Sequence, residues 1–77
     1  NPFNPTTTIS FSLPSSEFVK LSVYNTLGQE VATVVNEQLN AGQYKLLFDA
    51  SNLFSGVYYY RIEAGSFSST KRLVLLR

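Results

Sequence analysis

Residues 18–36 read FVKLSVYNTLGQEVATVVN, and how this stretch folds decides the architecture. Val19, Leu21 and Val23 alternate with Lys20, Ser22 and Tyr24, the period-two pattern of a strand with one buried face. NTLG, Asn25 to Gly28, follows as a four-residue turn with glycine where a left-handed conformation is wanted. QEVATVVN then returns as a second strand, with Val31, Thr33 and Val35 opposite Ala32 and Val34. Strand, turn and strand describe an antiparallel hairpin. A helix through Glu30 to Leu39 is the competing reading, and its density of β-branched residues argues against it.

The same period extends outward in both directions. Upstream, TTTISFSLP puts Ile9, Phe11 and Leu13 on one face of a strand that Pro14, Ser15 and Ser16 end, since proline has no N–H for the ladder. Downstream, NEQLNAG (Asn36 to Gly42) reads as a polar connection. QYKLLFDA is the next strand, with Tyr44, Leu46 and Phe48 inward. SNLFSG, Ser51 to Gly56, is a corner carrying Leu53. VYYYRIEA, a Gly-Ser turn and FSSTKRLVLLR complete the chain. Six to seven short strands with turn residues between them predict an all-β fold, a small antiparallel Ig-like or fibronectin-like β-sandwich. A small closed barrel is the second choice.

The three consecutive tyrosines are divided by that register. Tyr58 and Tyr60 fall with Ile62, while Tyr59 falls with Val57, Arg61 and Glu63, the wet face. Tyr58 and Tyr60 are therefore expected in the core, and Tyr59 outside. Leu53, Gly56 and Tyr58 also resemble the corner of Ig-like sandwiches, where a tyrosine early in a strand returns its hydroxyl to nearby backbone. A buried phenol needs such a partner.

Composition bounds the function. Seventy-seven residues make one small domain, residues 1–77, and no cysteine is present to staple it. Six basic and five acidic residues leave a net charge of +1, too little to grip nucleic acid or an anionic membrane. The longest aliphatic run, Leu73 to Leu76, is far short of a membrane span. Neither nucleic acid nor direct membrane insertion is expected. Residues 1–6, opening on NPFNP, look like the exit from a linker, so the chain is expected to be the tail of a longer polypeptide.

Catalytic chemistry is hard to assemble from these residues. There is no histidine and no cysteine, which removes the commonest general base and most transition-metal sites. Glu17, Glu30, Glu37, Asp49 and Glu63 fall on different elements and match no calcium loop. Gly28, Gly42, Gly56 and Gly65 are isolated, one per turn, and form no phosphate cradle. Serines without a base are weak nucleophiles. No enzyme activity, metal or cofactor is expected.

The ending, KRLVLLR, departs from clean alternation. Lys71, Leu73, Leu75 and Arg77 point one way, and Thr70, Arg72, Val74 and Leu76 the other, so both faces carry apolar residues. The strand is then covered on both faces, covered on one by a loop, or open on one face for a partner, with its edge available for β-augmentation.

NPFNPTTTISFSLP, VKLSVYNTLGQEV, AGQY, FDASNL, SGVYYYRIEAG and TKRLVLLR, in this order and spacing, resemble the type A C-terminal sorting domain of the type IX (Por) secretion system. The resemblance covers essentially the whole chain. More loosely, the sequence is similar to the Ig-like domain of the flagellar hook-capping protein. The sorting-domain resemblance implies a folded, non-catalytic tag at the C-terminus of a covalently attached cargo in Bacteroidetes-type bacteria. It would pass the periplasm, be recognised by secretion-system shuttle and translocon proteins, and reach the cell surface, where a sortase commonly removes it.

By motif match, the recognition positions carried over are Gly56 and Tyr58, Lys71, and the terminal strand Leu73, Val74, Leu75 and Leu76. Register adds Tyr59. The final arginine stands where lysine is frequent in the family. The alternative reading is an Ig-like structural or adhesive module of a surface protein, self-assembling through free strand edges.

Overall fold

Strand-forming periodicity is realised along the whole described chain, residues 6–76 of a computed structural model. Six strands follow in order: β1 (Thr6–Leu13), β2 (Glu17–Tyr24), β3 (Glu30–Leu39), β4 (Gly42–Asp49), β5 (Gly56–Ala64) and β6 (Phe67–Leu75). All pairings are antiparallel. β1 and β4 form a two-stranded sheet, and the other sheet runs β3-β2-β5-β6. The expected small β-sandwich is therefore the fold, with six strands and open edges in place of a closed barrel. The linker-like NPFNP lies outside the described residues, whereas Thr6, grouped with it above, opens β1.

Alternation places the core where it was expected. Val19, Leu21 and Val23 on central β2 are completely buried. Ile9, Leu13, Phe48, Tyr58 and Ile62 are buried around them, and Phe11, Tyr44, Leu46, Leu53 and Tyr60 pack partly buried against this cluster. Phe11 and Tyr44, cross-strand partners in β1 and β4, stack with ring centroids 5.1 Å apart. Val35, Ala50, Ala64 and Leu75 complete the core.

β3 corrects two expectations. The segment from Asn36 is no loop: Asn36 to Leu39 pair with Lys20 to Glu17, and only Asn40 and Ala41 connect β3 to β4. Its polar sequence reflects an edge strand wetted on both faces. The register also jumps twice, from Leu21↔Val35 to Ser22↔Thr33 and from Val23↔Ala32 to Tyr24↔Glu30. Val34 and Val31 are thus extra residues of β-bulges, which reverse the inside–outside phase. Ala32 and Val35 share the inner face, and Thr33 turns outward opposite Ser22.

Turns are fixed by local hydrogen bonds. Asn25 accepts from the Leu27 and Gln29 amides through its side-chain oxygen, each at 3.0 Å, and Gly28 takes φ +83° as anticipated. Gly65, at φ +60°, opens the two-residue β5–β6 turn. The Asp49 carboxylate accepts from the Ser51 amide at 2.9 Å and starts the β4–β5 corner. That bond, and one with the Ser51 side chain, hold its carboxyl below the usual range.

Candidate recognition surface

The β5–β6 hairpin sets opposite parities onto opposite faces. Tyr58 pairs with Leu73 and Gly56 with Leu75, all on the inner side, while Val57 pairs with Val74 and Tyr59 with Arg72 outside. Leu75 is 4% exposed, but its neighbours Val74 and Leu76 are 51% and 73% exposed. Of the three readings of the ending, the two in which both faces are covered fail: β6 is an edge strand whose outer residues Val74 and Leu76 stand in solvent.

The Tyr58 hydroxyl donates to the Phe54 carbonyl oxygen at 2.8 Å. This is the tyrosine-corner geometry expected from Leu53, Gly56 and Tyr58. The Leu53 amide adds a bond to the Ala50 carbonyl at 3.0 Å. With its backbone held in this way, Phe54 presents its ring to solvent, 87% exposed.

One end of the four-stranded sheet carries five of the eight exposed large hydrophobics among the described residues, Leu27, Phe54, Tyr59, Val74 and Leu76, while Phe18, Leu47 and Phe67 stand elsewhere. Tyr59 lies between Tyr24 on β2 and Arg72 on β6. Val57, Val74 and Leu76 extend the row toward the end of the sheet, where the β2–β3 turn shows Leu27 and the corner shows Phe54. Isolated exposed hydrophobics are ordinary, but a contiguous set is the usual mark of an interaction surface. Tyr24, Leu27 and Phe54 were not singled out in the sequence, because each sits in a different segment and only the sheet brings them together.

Charge sharpens the patch. Among the described residues the ion pairs are Lys20 with Glu30, at 3.7 Å, and Arg61 with Glu63, at 3.1 Å. Lys71 and Arg72 take part in neither; Arg72, beside Tyr59, borders the outer apolar row, while Lys71, beside Tyr60, is on the opposite face. Glu30 is held below its usual carboxylate range, first by the Thr33 hydroxyl that donates to it and then by the Lys20 ammonium. Ser22 is buried beneath this outer layer; its hydroxyl has no partner of acceptable geometry, though its dipole also favours the Glu30 anion.

Of the sequence-derived recognition positions, Tyr59, Lys71, Val74 and Leu76 are exposed, and Gly56 and Leu73 are half-buried. Tyr58 and Leu75 are buried, so in the folded state they act by holding the hairpin. Among the described residues no group of His, Cys, Asp or Glu side chains is placed to hold a metal ion, and no helix is long and apolar enough to cross a membrane.

No curated protein and no solved structure matches the chain. The family model described as the secretion system C-terminal sorting domain does match, over residues 1–76. That match spans the strands, the corner and the divided ending just described, and the chain belongs to the C-terminal sorting domain family of the type IX secretion system.

Proposed function

We propose that this domain is a folded, non-catalytic label that carries an attached protein across the outer membrane to the cell surface. The outer face of the β5–β6 hairpin, built from Tyr59, Arg72, Val74 and Leu76, is the surface that the shuttle and translocon proteins of the machinery contact. The observation that carries this reading is the split parity of β6. Leu73 and Leu75 lock the strand into the core, and the alternate set, Val74 and Leu76, is left to solvent beside Arg72. A label of this kind needs a stable scaffold and a few presented side chains, and no reacting group. Membership of the family supports the sorting role.

The test is fusion of these residues to an exported reporter in a host that has the secretion system. The reporter is expected at the cell surface, and Tyr59→Ser or Arg72→Glu should leave it in the periplasm without changing thermal unfolding. A reporter retained in the periplasm by the unaltered, demonstrably folded domain would overturn the reading.

A further inference from the structure

The sandwich has four strand edges, and they are not equally protected. β3 is bent by two bulges and carries Glu30 and Glu37. β4 carries Lys45 and Asp49. β6 carries Lys71 and Arg72. Charges and bulges are the usual devices that stop an edge from accepting another strand. β1, TTTISFSL, has neither: eight residues without a charge or a proline, paired to β4 in unbroken register. Among the described residues no strand pairs with its other edge.

The layer beside that edge is also incomplete. Ile9 and Phe11 of β1 share a groove of about 190 Å³ with Tyr60 and Ile62 of β5 and with Phe67 and Lys71 of β6. β1 thus lies toward the β5–β6 side, and the inner face of β6 extends past it without cover. Phe67 is 58% exposed there. A strand added beside β1 sits one strand spacing away, about 4.8 Å. It would lie over β6 at the normal sheet separation of about 10 Å.

From this geometry we infer that β1 and the β1–β6 groove form a docking slot for one extended peptide segment of a partner, apolar at alternate positions and carrying a carboxylate that faces Lys71. The width of the slot sets the partner's form. Because β6 projects beyond β1, a second copy approaching edge to edge would bring its own β6 against this one, whereas a single strand fits. Charge sets its chemistry: among the described residues Lys71 is the one ionised group lining the groove, and it is in none of their ion pairs. Binding would be β-augmentation, with main-chain bonds to β1 for affinity and alternate side chains in the groove for choice. The inference does not depend on the sorting role.

The test uses the 77-residue chain and eight-residue peptides alternating valine with threonine. One central valine is replaced by glutamate, glutamine or lysine. The glutamate peptide should bind saturably below about 1 mM, and more tightly than the lysine peptide by about three- to tenfold. Lys71→Glu should invert that order while leaving the domain folded. Alternate amides of Thr6–Leu13 that do not bond β4 should become slower to exchange in the complex. Failure of every peptide to bind the folded domain overturns the inference, as does binding that leaves the β1 amides unchanged. Protection of the same amides by raised protein concentration alone would assign the edge to a second copy, and also overturns it.

Discussion

Leu75 and Leu76 are adjacent, chemically identical and on opposite sides of the sheet, so truncating each to alanine separates packing from presentation. Leu75 is 4% exposed. Removing a buried leucine side chain beyond Cβ loses its transfer free energy and leaves a partly unfilled space, about 2–5 kcal/mol. A position near the end of an edge strand relaxes easily, which puts Leu75→Ala at the low end, about 2–3 kcal/mol. For a domain of this length each kcal/mol lowers Tm by about 4–8 °C, so Tm should fall by about 8–24 °C. Leu76, 73% exposed, has only about a quarter of its surface withdrawn from water. Its truncation forfeits at most about 0.8 kcal/mol of the roughly 1.5–3 kcal/mol of a fully buried side chain.

The assay is thermal unfolding of both variants, followed by the surface-export measurement at a temperature where both remain folded. Leu76→Ala should reduce export with Tm almost unchanged. Leu75→Ala should retain export while folded, and lose it only as unfolding sets in. Equal losses of Tm would show that β6 does not divide its residues between core and surface. Full export by Leu76→Ala would show that the outer face is not what the machinery reads.

Tyr58→Phe removes the donor to the Phe54 carbonyl and should cost about 1–1.5 kcal/mol, read as a Tm about 4–12 °C lower; an unchanged Tm would mean the corner bond contributes nothing. Gly65→Ala should destabilise by about 1 kcal/mol, because Gly65 sits at φ +60°, whereas the Glu17 carboxylate 2.5 Å from an added Cβ ends a flexible side chain that can swing aside. Gly28→Ala, with open space at φ +83°, should cost a similar amount, and a much larger loss for Gly65→Ala would show that Glu17 does not move aside. Glu30 has its carboxyl lowered in the folded state, so its contribution is present above the unfolded value of 4.5 and is lost as pH falls through the folded one. Thr33→Ala should raise the Glu30 midpoint measured by carboxyl NMR, and an unmoved midpoint would remove the Thr33 bond as the main cause. Deleting Leu73 shifts Val74 and Leu75 each by one place and reverses their faces. A half-buried leucine becomes valine, costing about 1 kcal/mol, so folding should persist while export falls; unaltered export would show that the identity of the outward side chains is not sensed.

The parts of the fold that were legible in the sequence are those where one face is buried and the backbone is regular. β2 and β5 alternate strictly because each lies between two strands, so parity alone placed Leu21, Val23, Tyr58 and Ile62. The phase of β3 was not legible. Its bulges at Val31 and Val34 use ordinary residues, with no glycine to mark them, and Asn36 to Leu39 pair through backbone groups that polar side chains do not advertise. Ser22 was assigned to the wet face by parity, correctly as to side. It is nevertheless 1% exposed, because the central strand is overlaid by longer side chains of its neighbours. Half of the candidate surface followed from parity, namely Tyr59, Val74 and Leu76. Tyr24, Leu27 and Phe54 required the sheet order, since nothing local says that a turn after β2 and a corner before β5 open at the same end.

The two-faced apolar ending accounts for packing and for the proposed recognition together. A strand that only packed would show apolar residues at alternate positions, as β1 does. A strand that only presented a surface would be free to detach, and its side chains would then lose a defined arrangement at a cost in ordering entropy on binding. In β6 the buried set, Leu73 and Leu75, fixes the backbone against Tyr58 and Gly56, and this rigidity is what holds Val74 and Leu76 in one geometry. Lys71 and Arg72 precede them and keep the middle of the same edge from pairing indiscriminately. Under the proposed function, stability and recognition share a strand without sharing side chains. A mutation that weakens recognition need not weaken folding, and the reverse holds only while the domain stays folded.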